Sequence, residues 1–317
     1  MFRFRNGLKH MFRFLPFRRE LHHQSLRQNE DFLLVTWDSC RFDAFLRARL
    51  PNLGQYGPPQ RGWAMGTYTL PAHVAMFQGF LPHAFCGEPF YNRFRQQLWR
   101  IGHRRIHVKP LVTFPMGTQN VVAGFRDRGY FTAGVAAMDW FRDAQVLREG
   151  FEKFQVTGRC ARKQNDLLIS WLDRHSAGRD CFAFVNYGET HSPFEFEGQT
   201  TQPRCVTEQF DRTRLWNQPG VLKEPWTFDD QAFCQQVACA EYLDARTGEL
   251  IDYFRRRGRP TTVVVCGDHG ECFGENGLFG HAFYHEKVME VPLLIFRLNA
   301  PPHDPPEPSE FCPDHER

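Results

Sequence analysis

Short runs of β-branched and aromatic residues recur along the chain and alternate with longer stretches of helical periodicity. The runs fall at 32–37 (FLLVTW), 132–137, 182–187 (FAFVNY), 261–267 (TTVVVCG) and 291–297. Nearly continuous apolar runs belong to strands covered on both sides, so the pattern predicts an α/β fold, a mostly parallel β-sheet flanked by helices on both faces. Stretches 119–128, 164–174 and 233–257 have the length and period of helices, and Gly129 and Gly258 stand where a C-terminal glycine ends two of them.

Two stretches break the alternation: 84–117, rich in Arg, His and aromatics, and 197–232, polar with Trp216, Trp226, Pro203, Pro219 and Pro225. Insertions of that length in a compact domain are functional lids or disordered segments. Residues 1–29 carry seven Lys or Arg against one Glu with Phe and Leu interleaved, a basic amphipathic leader that is poorly ordered or forms a surface helix able to touch a membrane or a partner. Residues 300–317 (APPHDPPEPSEFCPDHER) read as a Pro-rich disordered tail. Residues 30–299 then form a single catalytic domain with two insertions.

Composition narrows the class without changing that picture. A chain of 317 residues with 42% hydrophobic content buries a large core, and a net charge of +3 is too mild to mark a nucleic-acid binder. Ten cysteines at irregular intervals, with no CxxC pair, are no disulfide framework. The opening MFRFRNGLKHMFRFLPFRREL gives no uninterrupted apolar run of the secretory kind, and no apolar span of about 18 residues occurs elsewhere. A reduced, cytoplasmic protein with no transmembrane segment is the expectation.

The candidate chemistry lies just after the strands, where open parallel sheets bind ligands. FLLVTW runs into Asp38, FAFVNY into Glu189 and His191 through GETHSP, and TTVVVCG into Asp268, His269 and Glu271 through DHGE. One Asp after a strand is commonly a helix N-cap. Three such elements converging on one sheet edge instead ask for a cation, because gathered carboxylates repel and mixed O/N ligation suits a divalent metal. His281 in GLFGHAF adds an imidazole, and TYTLPAHVAMFQGFLP offers Thr69 as a nucleophile, with Thr67 second and a simple N-cap as the alternative. Arg41 and Asp43 in DSCRFD read as a structural pair, and Cys40 as a packed thiol.

From about Phe32 to Arg297 these motifs resemble, in order, the sulfatase-like branch of the alkaline-phosphatase superfamily. LLVTWDSCRFD is similar to its first metal-binding strand, TLPAHVAMFQGFLP to the nucleophile segment, and VVAGFRDRGYFTAGV with GFEKF to the next helix, strand and loop. FAFVNYGETHSPF resembles the strand leading to a His-x-Pro element, and VVVCGDHGECFGENGLFGHAFYHEKVMEVPLLIF the second metal motif and closing strand. The resemblance implies an alkaline-phosphatase-like core holding one or two divalent ions, Zn or Mn first and Mg, Ca or Fe as alternatives. Asp38, Thr69, Asp268, His269 and His281 would be the ligands and Thr69, His191 and His281 the catalytic groups. His73, Glu189, His191 and Arg105 would contact a small or polymeric anionic ester, and no nucleic acid is expected.

Sulfatases convert the Cys of C-x-P-S-R to formylglycine, whereas this chain has Thr69-Leu70-Pro71-Ala72-His73. A formylglycine sulfatase is disfavoured, and a Thr before x-Pro is similar to the nucleotide pyrophosphatase/phosphodiesterase branch. Hydrolysis of phosphate mono- or diesters by double displacement on Thr69 is the expected activity. A phospho-group transferase sharing the core and a non-catalytic binding or maturation partner are the alternatives. Ser39 stands where many sulfatases carry a second Asp, which leaves the metal count open.

Overall fold

The computed structural model describes residues 29–78, 120–197, 199–201 and 228–299. Insertion 84–117 with its Arg105, most of insertion 197–232, the leader up to 28 and the tail from 300 lie outside these residues.

In chain order the elements are β1 (Asp31–Trp37), α1 (Phe42–Arg47), β2 (Gln60–Trp63), α2 (Thr69–Gln78), α3 (Val121–Asp127), β3 (Phe131–Ala136), α4 (Trp140–Asp143) and β4 (Lys153–Val156). They continue as α5 (Ala161–His175), β5 (Cys181–Tyr187), β6 (Phe194–Phe196), β7 (Gln199–Thr201), α6 (Asp230–Arg257), β8 (Thr261–Gly267), β9 (Cys272–Phe273), β10 (Phe279–Gly280), α7 (Glu286–Met289) and β11 (Glu290–Leu298). The main sheet runs β2-β11-β8-β1-β5-β3-β4. Pairing is parallel from β8 to β4, and β11 is antiparallel to both β8 and β2.

Successive strand residues point to opposite faces, which sorts the core into two layers. Leu33, Val35, Ala183 and Val185 pack with Phe45 of α1, Leu168 and Leu172 of α5, and Leu243, Leu250 and Phe254 of α6. Phe182 and Phe184 face the other way, onto Leu70, Val74 and Phe77 of α2 and Val122 and Phe125 of α3. Helices on both faces and a mostly parallel sheet are thus the observed architecture. No helix among the described residues is long and apolar enough to cross a membrane.

The five anticipated strands stand within a residue or two of their expected bounds. Two main-sheet strands were not anticipated, β2 (QRGW) and β4 (KFQV), and these are its two edges. An edge strand lacks a neighbour on one side and is less deeply covered, so no apolar run announces it. Helix α6 begins at Asp230 because Asp229 accepts from the Ala232 N–H at 2.9 Å, so its first turn replaces the end of the expected 197–232 insertion. Gly258, at φ 70°, closes it in the left-handed conformation that favours glycine. Residues 194–196 and 199–201, the latter assigned to that insertion, pair as the antiparallel strands β6 and β7.

Candidate metal centre and active site

Neighbouring strands β8, β1 and β5 deliver Asp268 with His269, Asp38, and Glu189 with His191 to one end of the sheet. Asp38 caps no helix; α1 starts four residues later and its N-cap, Arg41, makes no side-chain cap bond. The chain after Asp38 is pinned from several directions. Ser39 takes φ 60°, a conformation few non-glycine residues adopt, and its N–H donates to Asp268 Oδ1 at 3.0 Å. Thr190 Oγ1 donates to the Asp38 carbonyl at 2.7 Å, and buried Gln236 Nε2 donates to the carbonyls of Ser39 and Thr190 at 2.8 and 2.9 Å. Gly270 of DHG has a steric reason, since a Cβ there would lie 2.1 Å from the Lys287 carbonyl oxygen.

Asp38, Asp268 and His269 are fully buried, with one potential ligand atom from each lying within 4.8 Å of the others. Chemistry decides what such a group is for. His269 Nδ1 lies 2.9 Å from the Gly270 carbonyl, which can only accept, so Nδ1 carries the proton and Nε2 presents a lone pair. That lone pair faces Asp38 Oδ1 at 3.7 Å and Asp268 Oδ2 at 3.6 Å, and His73 Nδ1 stands off from the same Oδ2 at 3.6 Å; among the described residues neither His269 Nε2 nor Asp268 Oδ2 has a hydrogen-bond partner. Acceptors facing acceptors in a dry pocket call for a proton or a cation among them, and separations of this size suit a small ion with bonds of roughly 2.0–2.2 Å. The residues fit a divalent metal.

The titration pattern has the same origin. Burial, and then the charge on Asp38, push Asp268 well above the carboxylate range. Burial also pushes Asp38 upward, but the imidazoles of His191, His269, His73 and His281 around it favour its anion and hold it below the usual carboxylate range. Burial, then neighbouring His281, keep the His269 imidazole neutral, down at about 3.

Thr69 opens α2, and its hydroxyl donates to Asp38 Oδ2 at 3.1 Å instead of capping the helix. The rings of His281 and His191 flank the cluster, with the His281 centroid 4.6 Å from His269 and 5.1 Å from His191. His281 lies outside the three-ligand group; its Nδ1 is 3.5 Å from Glu271 Oε1, an ion-pair separation. His191 Nδ1 lies 3.2 Å from Arg159 Nη2, whose other nitrogen donates to the carbonyls of Pro193 and His191 at 3.0 and 3.4 Å. Arg159 also lines a cavity of about 420 Å³ with Met138, Asp139, Trp140 and Asp143, and nothing near it in sequence marks it.

Two expected substrate contacts are corrected by the geometry. Glu189 Oε1 accepts from the Ala161 N–H at 2.7 Å and Oε2 from the Gly188 N–H at 3.1 Å, so its carboxylate caps α5. His73 is fully buried, with one ring nitrogen on Thr36 and the other on the Thr69 carbonyl, and no face of it meets solvent. Arg105 lies outside the described residues.

Arg41 is structural, as its spacing from Asp43 suggested. The buried guanidinium makes a bidentate pair with Asp43 at 2.7 and 2.8 Å and bonds Glu275 at 2.6 Å, with Phe273 4.8 Å below its plane. Arg41→Ala leaves Asp43 with Lys287 at 2.9 Å and Glu275 with the Phe273 N–H at 2.6 Å but empties the buried guanidinium site between them, and is expected to destabilise the metal-free protein by about 2 kcal/mol, measured by urea unfolding. A loss within about 0.5 kcal/mol would mean that this network adds nothing. Cys40 is packed, its thiol pushed well up by burial.

Comparison with known proteins sets this geometry in context. The family model described as Sulfatase matches residues 30–306. A choline-sulfatase from Rhizobium meliloti (strain 1021) is 41% identical over 56 residues, which is 17% of this chain and only 11% of that protein. Among solved structures, a protein in the alkaline phosphatase superfamily from Vibrio parahaemolyticus superimposes at a TM-score of 0.53 and 16% identity, over 87% of this chain and 62% of that one. The C-terminal periplasmic domain of the phosphoethanolamine transferase EptC from Campylobacter jejuni gives 0.53 at 13% identity, over 86% and 80%. The corresponding EcEptC domain from Escherichia coli, in complex with Zn, gives 0.53 at 12%, over 86% and 74%. At these identities the likeness is one of fold, and the fold is that of the alkaline phosphatase superfamily.

Proposed function

Because the chain belongs to the sulfatase family, as its match over residues 30–306 establishes, we propose that it is a metal-dependent hydrolase of phosphate mono- or diesters in which Thr69 is the nucleophile. The observation that carries this reading is the Thr69 hydroxyl, 3.1 Å from Asp38 beside a buried group of unpartnered acceptors.

A divalent metal held by Asp38, Asp268 and His269, with Zn or Mn the first candidates, supplies the charge that lowers a hydroxyl pKa and neutralises an ester's non-bridging oxygens. Thr69 Oγ1 attacks phosphorus as the bond to the leaving oxygen breaks, and its proton passes to solvent or a neighbouring base. The leaving oxygen takes a proton from His281 or His191, the two imidazoles that flank the cluster. Water then attacks the Thr69 ester, returning the hydroxyl and releasing phosphate from a monoester substrate or a phosphate monoester from a diester. The cavity beside Arg159 takes the organic part of the substrate; its volume of about 420 Å³ suits a small molecule.

The test is an activity screen of metal-reconstituted protein on aryl phosphate monoesters, diesters, phosphonates and sulfates, with Thr69→Ala as control. Sulfate esters as the best substrates would overturn the phosphoryl assignment, and product analysis with alcohol acceptors separates hydrolysis from group transfer. Arg159→Ala is expected to raise KM about tenfold, more than it lowers kcat, because the contact is with a non-reacting part of the substrate. An unchanged KM would remove Arg159 from the pocket. Cytoplasmic residence is proposed on the seven described cysteines, all free, and cell fractionation tests it.

A further inference from the structure

Beneath the metal cluster lies a buried polar chain whose donors and acceptors can be assigned in order. His73 Nδ1 is 2.9 Å from the Thr69 carbonyl, and a carbonyl can only accept, so Nδ1 carries the proton; Asp268 Oδ2, at 3.6 Å from the same nitrogen, is beyond hydrogen-bond reach. Nε2 is then the acceptor, and the hydroxyl 3.1 Å away on Thr36 of β1 must donate to it. The alternative acceptor for that hydroxyl, the Val185 carbonyl, is at 3.5 Å and loses the competition. The Thr36 oxygen in turn accepts from Asn186 Nδ2 of β5 at 3.2 Å, and the same amide reaches Asp38 Oδ2 at 3.3 Å. Asp38 Oδ2 is also the acceptor for the Thr69 hydroxyl.

The result is a closed circuit: Asp38 to Asn186 to Thr36 to His73 to the Thr69 backbone, and from the Thr69 hydroxyl back to Asp38. Every side chain in it is buried, and the rings of Phe77, Phe141 and Phe184 meet the His73 ring edge-on at 4.8–6.0 Å, which fixes its plane. Of the circuit's members only Thr69 and Asp38 belong to the reacting centre; Asn186, Thr36 and His73 are fully buried behind them. Its one mechanical effect is to set how deep and at what angle the first turn of α2 sits over the two central strands.

We propose that His73 is a positioning residue that holds the Thr69 hydroxyl on the metal cluster through the Thr69 backbone carbonyl, with Nδ1 donating to that carbonyl and Nε2 anchored by the Thr36 hydroxyl. The proposal rests on the reading of Thr69 as the nucleophile, and its test separates the two.

Asparagine and glutamine dissect the ring. The Asn amide places its N–H close to where Nδ1–H stands, while that of Gln falls near Nε2 and leaves the Thr69 carbonyl without its donor. With zinc- or manganese-loaded enzyme and 4-nitrophenyl phosphate or sulfate, His73→Gln is expected to lower kcat about 100-fold with KM little changed, and His73→Asn to recover most of that loss. Metal stoichiometry and thermal midpoint are measured on each variant. Thr36→Val, which removes the anchoring hydroxyl at constant shape, is expected to lower kcat about tenfold and carries the test where His73→Gln does not fold.

An activity-free measurement runs beside these. In metal-free protein labelled with ¹⁵N-histidine, the His73 signals, assigned by their disappearance in His73→Asn, are expected to show Nδ1 protonated and Nε2 not. The opposite tautomer overturns the proposal, as does equal activity of the Gln and Asn variants at matched stability and metal content. A raised KM with unchanged kcat would return His73 to substrate binding. If Thr69→Ala is as active as the parent, the nucleophile reading falls and this proposal with it. If Thr69→Ala is inactive while Gln and Asn at position 73 are equivalent, only this proposal falls.

Discussion

Thr69→Ala is expected to lower kcat by roughly 10⁴-fold or more while leaving the metal bound, because it removes the attacking atom and little else. The small cost to the fold can be read from the contacts. Among the described residues the Thr69 hydroxyl makes one bond, to Asp38 at 3.1 Å, and caps no helix N–H, so its loss is expected to change stability by only about 1 kcal/mol. The ligand atoms that Asp38, Asp268 and His269 offer lie within 4.8 Å of one another without any atom of Thr69. Thr69→Ser keeps an oxygen in place and should retain measurable turnover, and intact-mass analysis of quenched reactions should find the covalent ester on the parent and the Ser variant only. Thr67 is the control. Its carbonyl accepts from the Ala282 N–H at 2.8 Å, a link to the loop that carries His281, so Thr67→Ala should leave the nucleophile in place. Full activity of Thr69→Ala with stoichiometric metal would end the double-displacement reading and point to direct attack by water.

How much of this was legible in advance depends on whether a residue's role is local. Interior strands advertise themselves because both sides are covered, and those are the strands that carry Asp38, His191 and Asp268. The edges β2 and β4 left no such trace. Helix α3 is capped from within its own segment, where Asn120 accepts from the N–H groups of Val122 and Ala123 at 2.8 and 3.1 Å, and its extent was nearly right. Helix α5 is capped by Glu189, whose carboxylate arrives from another strand, so the helix was expected three residues late.

The same long-range contact explains why Glu189 looked like a site residue. Standing after a strand, between Asn186 and His191, it shares the address of the functional groups, and only the structure shows that its oxygens already have partners. His73 was misread for a related reason: an imidazole one turn after the nucleophile sits equally well beside substrate or beneath it. Asn186, Gln236 and Arg159 carried no signal at all, since an amide inside a strand or helix and an arginine in a loop are common everywhere. What placed them is distance in space, and spacing along the chain does not encode it.

The second large effect concerns the metal-free protein, where Asp268→Asn is expected to raise stability. In the parent, two buried carboxylates face each other and a histidine lone pair, and burial with the charge of Asp38 drives the Asp268 pKa well above its ordinary value of 3.8. A carboxyl whose pKa is raised on folding weakens the fold at every pH above its unfolded value, and the penalty disappears below that value. Asparagine keeps an oxygen for the N–H groups of Ser39 and His269, now at 3.0 and 2.8 Å. It also puts an N–H where Oδ2 stands, 3.6 Å from His269 Nε2, so acceptor against acceptor becomes donor to acceptor there; His73 Nδ1, also 3.6 Å from Oδ2, keeps its proton on the Thr69 carbonyl. In chelator at pH 7.5, taken as roughly neutral, the variant should gain about 1–3 kcal/mol over the parent, and the gain should vanish below about pH 4.

Added zinc or manganese should reverse the order. The parent gains RT ln(1 + [L]/Kd), about 2.7 kcal/mol at a hundredfold excess over Kd, whereas the variant has lost an anionic ligand and should respond weakly. Thermal or urea unfolding of both proteins, with chelator and with metal, therefore gives two lines that cross. If Asp268→Asn is the less stable protein in chelator, the unpartnered acceptors are no sign of a missing cation. If both proteins respond equally to metal, the ion sits elsewhere. Only the crossing is consistent with a cluster whose native carboxylates destabilise the fold until a cation arrives, and the same variant should then lack turnover for want of the metal beside Thr69.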